Sequence, residues 1–133
     1  MSLRTTSLIA VSAAVLLASG STAQQGRSAV ADQKLAKALA GRSAAAPVNC
    51  ISERSRMQVI DDWTILFRDR GIVYVQQPYG GCHGLSNSMS LIRHGFGTTR
   101  ICRGDINNIV DVRTGFGTGA CTYSEFVPYR KVG

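Results

Sequence analysis

The sequence predicts an all-β fold: a small antiparallel sheet or partly closed barrel held by two disulfides, preceded by a signal peptide and a short alanine-rich helix. Three observations carry this prediction. From Val48 onward, β-branched and aromatic residues recur between glycines, the pattern of short strands and turns. No stretch after Pro47 keeps a helical period. Four cysteines, Cys50, Cys82, Cys102 and Cys121, stand in a chain that begins like an exported precursor.

That beginning is the first element. Arg4 supplies a positive start, and Leu8 to Ala18 is an apolar run too short to span a bilayer of ~30 Å as a helix. Ser21 and Ala23 occupy the −3 and −1 positions of a cleavage site before Gln24. Residues 1–23 are therefore expected to be removed on export, leaving a periplasmic or secreted chain with no transmembrane segment. Residues 24–47 form an alanine-rich basic arm. Its centre, AVADQKLAKALAGR, has high helix propensity, with Val30, Leu35 and Leu39 near one face and Gly41 as a stop. An isolated helix of about a dozen residues is marginal in water, so it frays or packs on the domain, and a solvated spacer is the commoner use of such a segment.

Residues 48–133 are the β-domain. A first strand is expected near 50–60. Trp63, Ile65 and Phe67 alternate with Thr64, Leu66 and Arg68, and Ile72 and Tyr74 alternate with Val73 and Val75; Asp69-Arg70-Gly71 joins the two strands as a hairpin turn. Further strands are expected near 88–93, 99–103, 106–113 and 120–127, with Pro128 ending the last. These four strands read as a meander. A domain of this size buries roughly 60–65% of its surface, so covalent staples help.

The meander also suggests the disulfides. Strands 99–103 and 120–127 would flank strand 106–113, placing Cys102 and Cys121 roughly 9–10 Å apart, beyond the ~7 Å a disulfide tolerates. Of the two remaining connectivities, Cys50–Cys121 with Cys82–Cys102 is expected, because the first would join the outer strands and the second would tie the GCHGL turn to the meander. Zinc is the poorer reading of these cysteines, since no C-x-x-C pair presets a thiolate site.

The chain carries 15 basic and 8 acidic residues. Loss of Arg4 leaves a net charge of +6, divided equally between the arm and residues 48–133, where ten basic residues face seven acidic ones. A folded part so mildly basic lacks the concentrated stripe of a nucleic-acid binder. Anionic envelope lipid or glycan, or an envelope protein, fits the charge and the export better.

Residues 93–99 read RHGFGTT and 113–119 read RTGFGTG. A phosphate-cradling glycine loop needs a helix after it, whereas these loops lead into strands. In the expected meander both loops lie at one end of the sheet, so Arg93, His94, Phe96, Arg113 and Phe116 would form one ligand-binding rim. In the plainer alternative each Phe caps the core and each Arg is solvated. Arg103-Gly104-Asp105 reads as a tight turn rather than an adhesion tripeptide. Asp61 and Asp62 are adjacent in an expected strand, point apart and make no acid–base dyad. His83 lies in a turn-rich segment without ordered carboxylates, and Ser86 and Ser88 lack a nucleophile elbow. No catalytic, metal-binding or cofactor-binding constellation is present in the pattern. The leading expectation is a non-catalytic binding domain. A protein inhibitor of an acidic envelope hydrolase, inserting loop 94–98 or 114–118, is the alternative, and an uncharacterised enzyme is third.

The segments LAKALAGR, NCIS, DDWTILFRD, GCHGL, ICRGD and GACTYSEF, in that order after an export signal, resemble a family of small uncharacterised exported proteins of Gram-negative bacteria. The resemblance implies a β-rich, disulfide-bonded fold. It implies no catalytic or ligand-binding residues, and the repeated GFGT loop is not part of its pattern.

Overall fold

The computed structural model describes residues 27–94 and 98–133, so the signal-peptide prediction and Phe96 lie outside the described residues. One helix, α1 (Ala29–Leu39), is followed by β1 (Arg42–Ala44), β2 (Cys50–Ser52), β3 (Arg56–Asp61), β4 (Thr64–Asp69) and β5 (Ile72–Gln76). After the 77–88 connection come β6 (Met89–His94), β7 (Arg100–Cys102), β8 (Ile106–Asp111), β9 (Gly117–Thr122) and β10 (Phe126–Lys131). They form a five-stranded sheet in the order β1-β10-β5-β4-β3, a two-stranded sheet β2-β7 and a three-stranded sheet β6-β8-β9, antiparallel throughout. The predicted all-β class holds, and among the described residues the sheets are open, with no closed barrel.

The five-stranded sheet is covered on both faces, which is why Thr64 to Phe67 of β4 are buried without interruption. Ile65 and Phe67 face the main core with Ile51, Ile109, Tyr123 and Phe126. Leu66, with Val73 and Val75 of β5, faces α1. The helix presents Ala31, Leu35, Ala38 and Leu39, a stripe at helical spacing. Val30, expected on that stripe, is 60% exposed, because it lies about 100° of helical turn away from Ala31.

Ser28 caps the helix, its Oγ accepting from the Ala31 amide at 3.2 Å, and Asp32 complements the dipole in the first turn. Just before the cap, Arg27 lies 3.2 Å from Asp61 and 3.7 Å from Asp32, and donates to the Thr64 hydroxyl. The arm is therefore docked rather than a solvated spacer. Gly41, at φ +67°, ends the helical segment and turns the chain into β1, which adds an edge strand beside β10.

The chain expected as one strand over 120–127 is two. β9 belongs to the three-stranded sheet and β10 to the five-stranded one, and residues 123–125 cross between them. Pro128 does not end the strand; it lies inside β10, where its carbonyl still accepts from the Ala45 amide at 2.8 Å. Gln76 fastens the crossing. Its buried Oε1 accepts from the Ser124 amide and hydroxyl, each at 2.8 Å, and its Nε2 donates to the Ser124 carbonyl at 2.9 Å. Gln76→Leu would strand these groups and is expected to cost about 3 kcal/mol in urea denaturation. A loss under about 1 kcal/mol would show that the crossing is held by other contacts.

The largest departure from expectation concerns β7. It does not join the meander. β6 pairs directly with β8, from Met89↔Asp111 to His94↔Ile106, while β7 crosses to pair with β2. Cys50 and Cys102 are cross-strand neighbours in that pair and form one disulfide; Cys82 and Cys121 form the other. The expected Cys50–Cys121 and Cys82–Cys102 pairing is thus corrected. It assumed that strand 50–60 was continuous and that β7 lay inside the meander, whereas the chain turns after Ser52 and β7 is diverted to meet the short strand so formed.

Candidate functional site

The same rearrangement separates the twin loops. Chain leaving β6 after His94 emerges beside Ile106, at one end of the three-stranded sheet. Chain leaving β8 after Asp111 emerges beside Met89, at the other. With β7 absent from the meander, the number of reversals between the loops changes by one. Arg93 and His94 therefore lie at the opposite end from Arg113 and Phe116, so these four do not share the expected rim; Phe96 lies outside the described residues.

Each candidate instead has its own environment. Arg93 lies opposite Asn107 on the inner face, its side chain only 16% exposed. Its guanidinium donates to the carbonyls of Thr98, at 2.9 Å, and Arg100, and lies 3.6 Å from both Glu53 and Asp105. Those bonds fasten the incoming β7 segment and leave little of the fork for a ligand. His94 is exposed beside Asn108, with Nε2 2.6 Å from Nδ2. The Arg113 amide donates to Asp111 Oδ1 at 2.7 Å in a local turn. Phe116 is 75% exposed and caps no core.

A different group of cations does converge. Arg42 of β1, Arg54 of the β2–β3 turn, Arg56 at the start of β3, Arg68 of β4 and Arg70 of the β4–β5 turn line a groove of about 360 Å³ with Asp69. Strand pairing brings them together. Arg56 is the direct cross-strand partner of Arg68, a like-charge pairing that disfavours the fold. Arg70 and Gly71 have φ of +46° and +81°, the two-residue turn that matches the strand twist. Asn or Gly relaxes the first of these positions, so an arginine is held there in a sparsely populated conformation.

Two of the five guanidinium groups are braced. Arg42 Nη1 donates to the carbonyls of Gly71 at 2.6 Å and Tyr129 at 3.4 Å, and Arg68 Nη2 donates to Gln58 Oε1 at 3.0 Å. Arg54, Arg56 and Arg70 are exposed, and among the described residues none of the five arginines pairs with a carboxylate. Within residues 48–133 the groove sets four arginines against Asp69, a local +3 equal to the net charge of that whole segment. The arrangement offers bidentate donors to phosphate, sulfate or carboxylate oxygens.

The remaining candidates have structural roles. Asp61 pairs with Arg27, whereas Asp62 lies 3.4 Å from His83, in the turn leading to β4 rather than in a strand. That turn is held against the 77–88 connection at Gly81. A Cβ there would meet the Asp62 carbonyl at 3.0 Å and the Trp63 ring at 3.2 Å. Gly104, at φ +87°, makes the Arg103–Asp105 turn, and Asp105 Oδ2 accepts from the Cys102 amide at 2.8 Å. Ser86 and Ser88 bond each other at 2.8 Å. Among the described residues no three His, Cys, Asp or Glu side chains are grouped to hold a metal, and no helix is long and apolar enough to cross a membrane. No family model, curated protein or solved structure matches this chain.

Proposed function

We propose that this protein is a non-catalytic binding domain of the bacterial envelope, and that it takes a multivalent anionic component through the arginine groove. The observation that carries this reading is the gathering of five arginines, none paired with a carboxylate among the described residues, at one end of a sheet whose pairing their repulsion opposes. Two braced guanidinium groups fix the geometry, and three exposed ones complete the anion's coordination. The N-terminal export pattern and the two disulfides, which form and persist in oxidising compartments, support a reading outside the cytoplasm.

The test uses inorganic tripolyphosphate and, separately, vesicles of phosphatidylglycerol or phosphatidylcholine. Arg54→Gln, Arg56→Gln and Arg70→Gln together are expected to weaken binding of tripolyphosphate and phosphatidylglycerol at least about tenfold at low salt, at a few tenths to 1 kcal/mol per exposed charge. Raising the salt to about 0.5 M should remove most of the difference. Arg113→Gln should leave affinity within about twofold. Equal affinity of the wild type and triple variant, or a loss on Arg113→Gln alone, would reject the groove.

A further inference from the structure

We infer that the cleft where the three sheets converge is a second ligand site, suited to an uncharged amphiphile with an apolar or aromatic body and a hydroxyl or amide group. It encloses about 710 Å³, within the ~300–1,000 Å³ range of pockets for such ligands. Each sheet supplies a wall. Met57 and Phe67 come from the five-stranded sheet, Leu91 from the three-stranded one and Ile101 from the two-stranded one.

The polar groups decide what this space accepts. Tyr123 lines the cleft and is only 2% exposed, its phenol ring packed in the main core. Burial, with the nearby Asp105 charge, pushes its phenol far above the ordinary range despite Arg93, so it stays a neutral donor. Ser55 Oγ is buried and without a partner among the described residues. Asn107 uses Nδ2 on the Asp105 carbonyl, leaving its Oδ1 as an acceptor. Unpaired and buried, Ser55 Oγ carries a desolvation cost that a ligand's hydroxyl or amide would remove.

Charge excludes the anions that the arginine groove favours. The guanidinium in the cleft, that of Arg93, is already shared between two carbonyls and lies 3.6 Å from each of two carboxylates. With Glu53 and Asp105 counted against Arg93, the local charge is −1, so an entering carboxylate finds no free cation and meets two like charges. A cationic ligand would have to compete with Arg93 for the same carboxylates. A neutral hydroxyl or amide meets the Tyr123 hydroxyl, Ser55 Oγ and Asn107 Oδ1 without either penalty.

Three probes sharing one ring test this: 2-naphthol, 2-naphthoate and 2-naphthylmethylammonium, titrated near neutral pH into the oxidised, 15N-labelled protein. The expected result is amide shifts from 2-naphthol centred on Leu91, Asn107 and Tyr123, with both charged analogues at least about tenfold weaker. Tyr123→Phe with Ser55→Ala keeps the ring and should weaken 2-naphthol about three- to tenfold. Leu91→Trp, which fills the cleft, should abolish binding. The triple arginine variant should bind 2-naphthol as the wild type does, which separates this site from the groove. Stronger binding of either charged probe, shifts centred elsewhere, or unchanged affinity in the Tyr123→Phe, Ser55→Ala variant would overturn the inference.

Discussion

Replacing Cys82 and Cys121 together by serine is expected to lower stability by about 4 kcal/mol or more, the largest single loss in this protein. The bond closes a loop across 39 positions, for which chain entropy alone gives about 4 kcal/mol. It is also the deeper of the two disulfides. Cys82 and Cys121 both lie in the main core, so two serines there would leave hydroxyls in apolar surroundings, whereas Cys50 and Cys102 are half-buried. The Cys50–Cys102 bond spans 52 positions and by entropy alone is worth the same about 4 kcal/mol. Urea denaturation of the two double variants should therefore rank Cys82→Ser/Cys121→Ser as the less stable, by about 1–3 kcal/mol. The reverse order would show that burial of the Cys82–Cys121 pair contributes little beyond the constraint on the unfolded chain.

Phe126→Ala is expected to cost about 3–5 kcal/mol. The ring is fully buried at the start of β10, edge to face with Tyr123 at 5.6 Å and Phe67 at 5.8 Å. Phe67 and Tyr123 also meet edge to face, at 5.7 Å, so truncation removes one corner of a closed triangle of rings. The backbone there is paired in both directions with Val48, at 2.9 Å each way, which limits how far the site can collapse around the cavity. Phe126→Leu keeps most of the volume and should cost about 1.5 kcal/mol or less. Equal losses for Ala and Leu would indicate that ring–ring geometry, rather than cavity size, sets the cost.

Local features of this fold were legible because their causes are local. Alternation in β4 and β5 and the Asp69-Arg70-Gly71 turn define a hairpin without reference to the rest of the chain. The helix stripe was legible except at Val30, where an apolar residue sits on the solvent face of a helix rich in small side chains. Strand partnership was not legible. The glycine-rich stretch after Arg93 reads as a hairpin connection, but the strand that follows pairs with Cys50–Ser52, some fifty positions earlier. Alternation tells which residues share a face and says nothing of which strand lies alongside, so the disulfides and the position of the twin loops went wrong together. The same averaging hid the candidate site. Arg42, Arg54, Arg56, Arg68 and Arg70 are separated by apolar and acidic residues, and a segment net charge of +3 looks evenly spread until β3, β4 and the hairpin turn are brought side by side. The doublets Arg54-x-Arg56 and Arg68-x-Arg70 were the available signal, since each sets two cations within three positions beside a turn. Gln76 gave no signal at all, because its partner Ser124 is found only after the chain crosses between sheets.

The central claim is that the groove formed by Arg42, Arg54, Arg56, Arg68 and Arg70 is where this protein meets an anion. The most direct measurement is a titration of the oxidised, 15N-labelled protein with inorganic tripolyphosphate at low salt, following every backbone amide and arginine Nε–H signal. The account predicts saturable shifts concentrated on residues 54–56 and 68–72 and on the Arg42 side chain, lost at high salt. Shifts confined to Arg113 and the 112–116 turn, or no saturable shifts at any arginine of the groove, would contradict it.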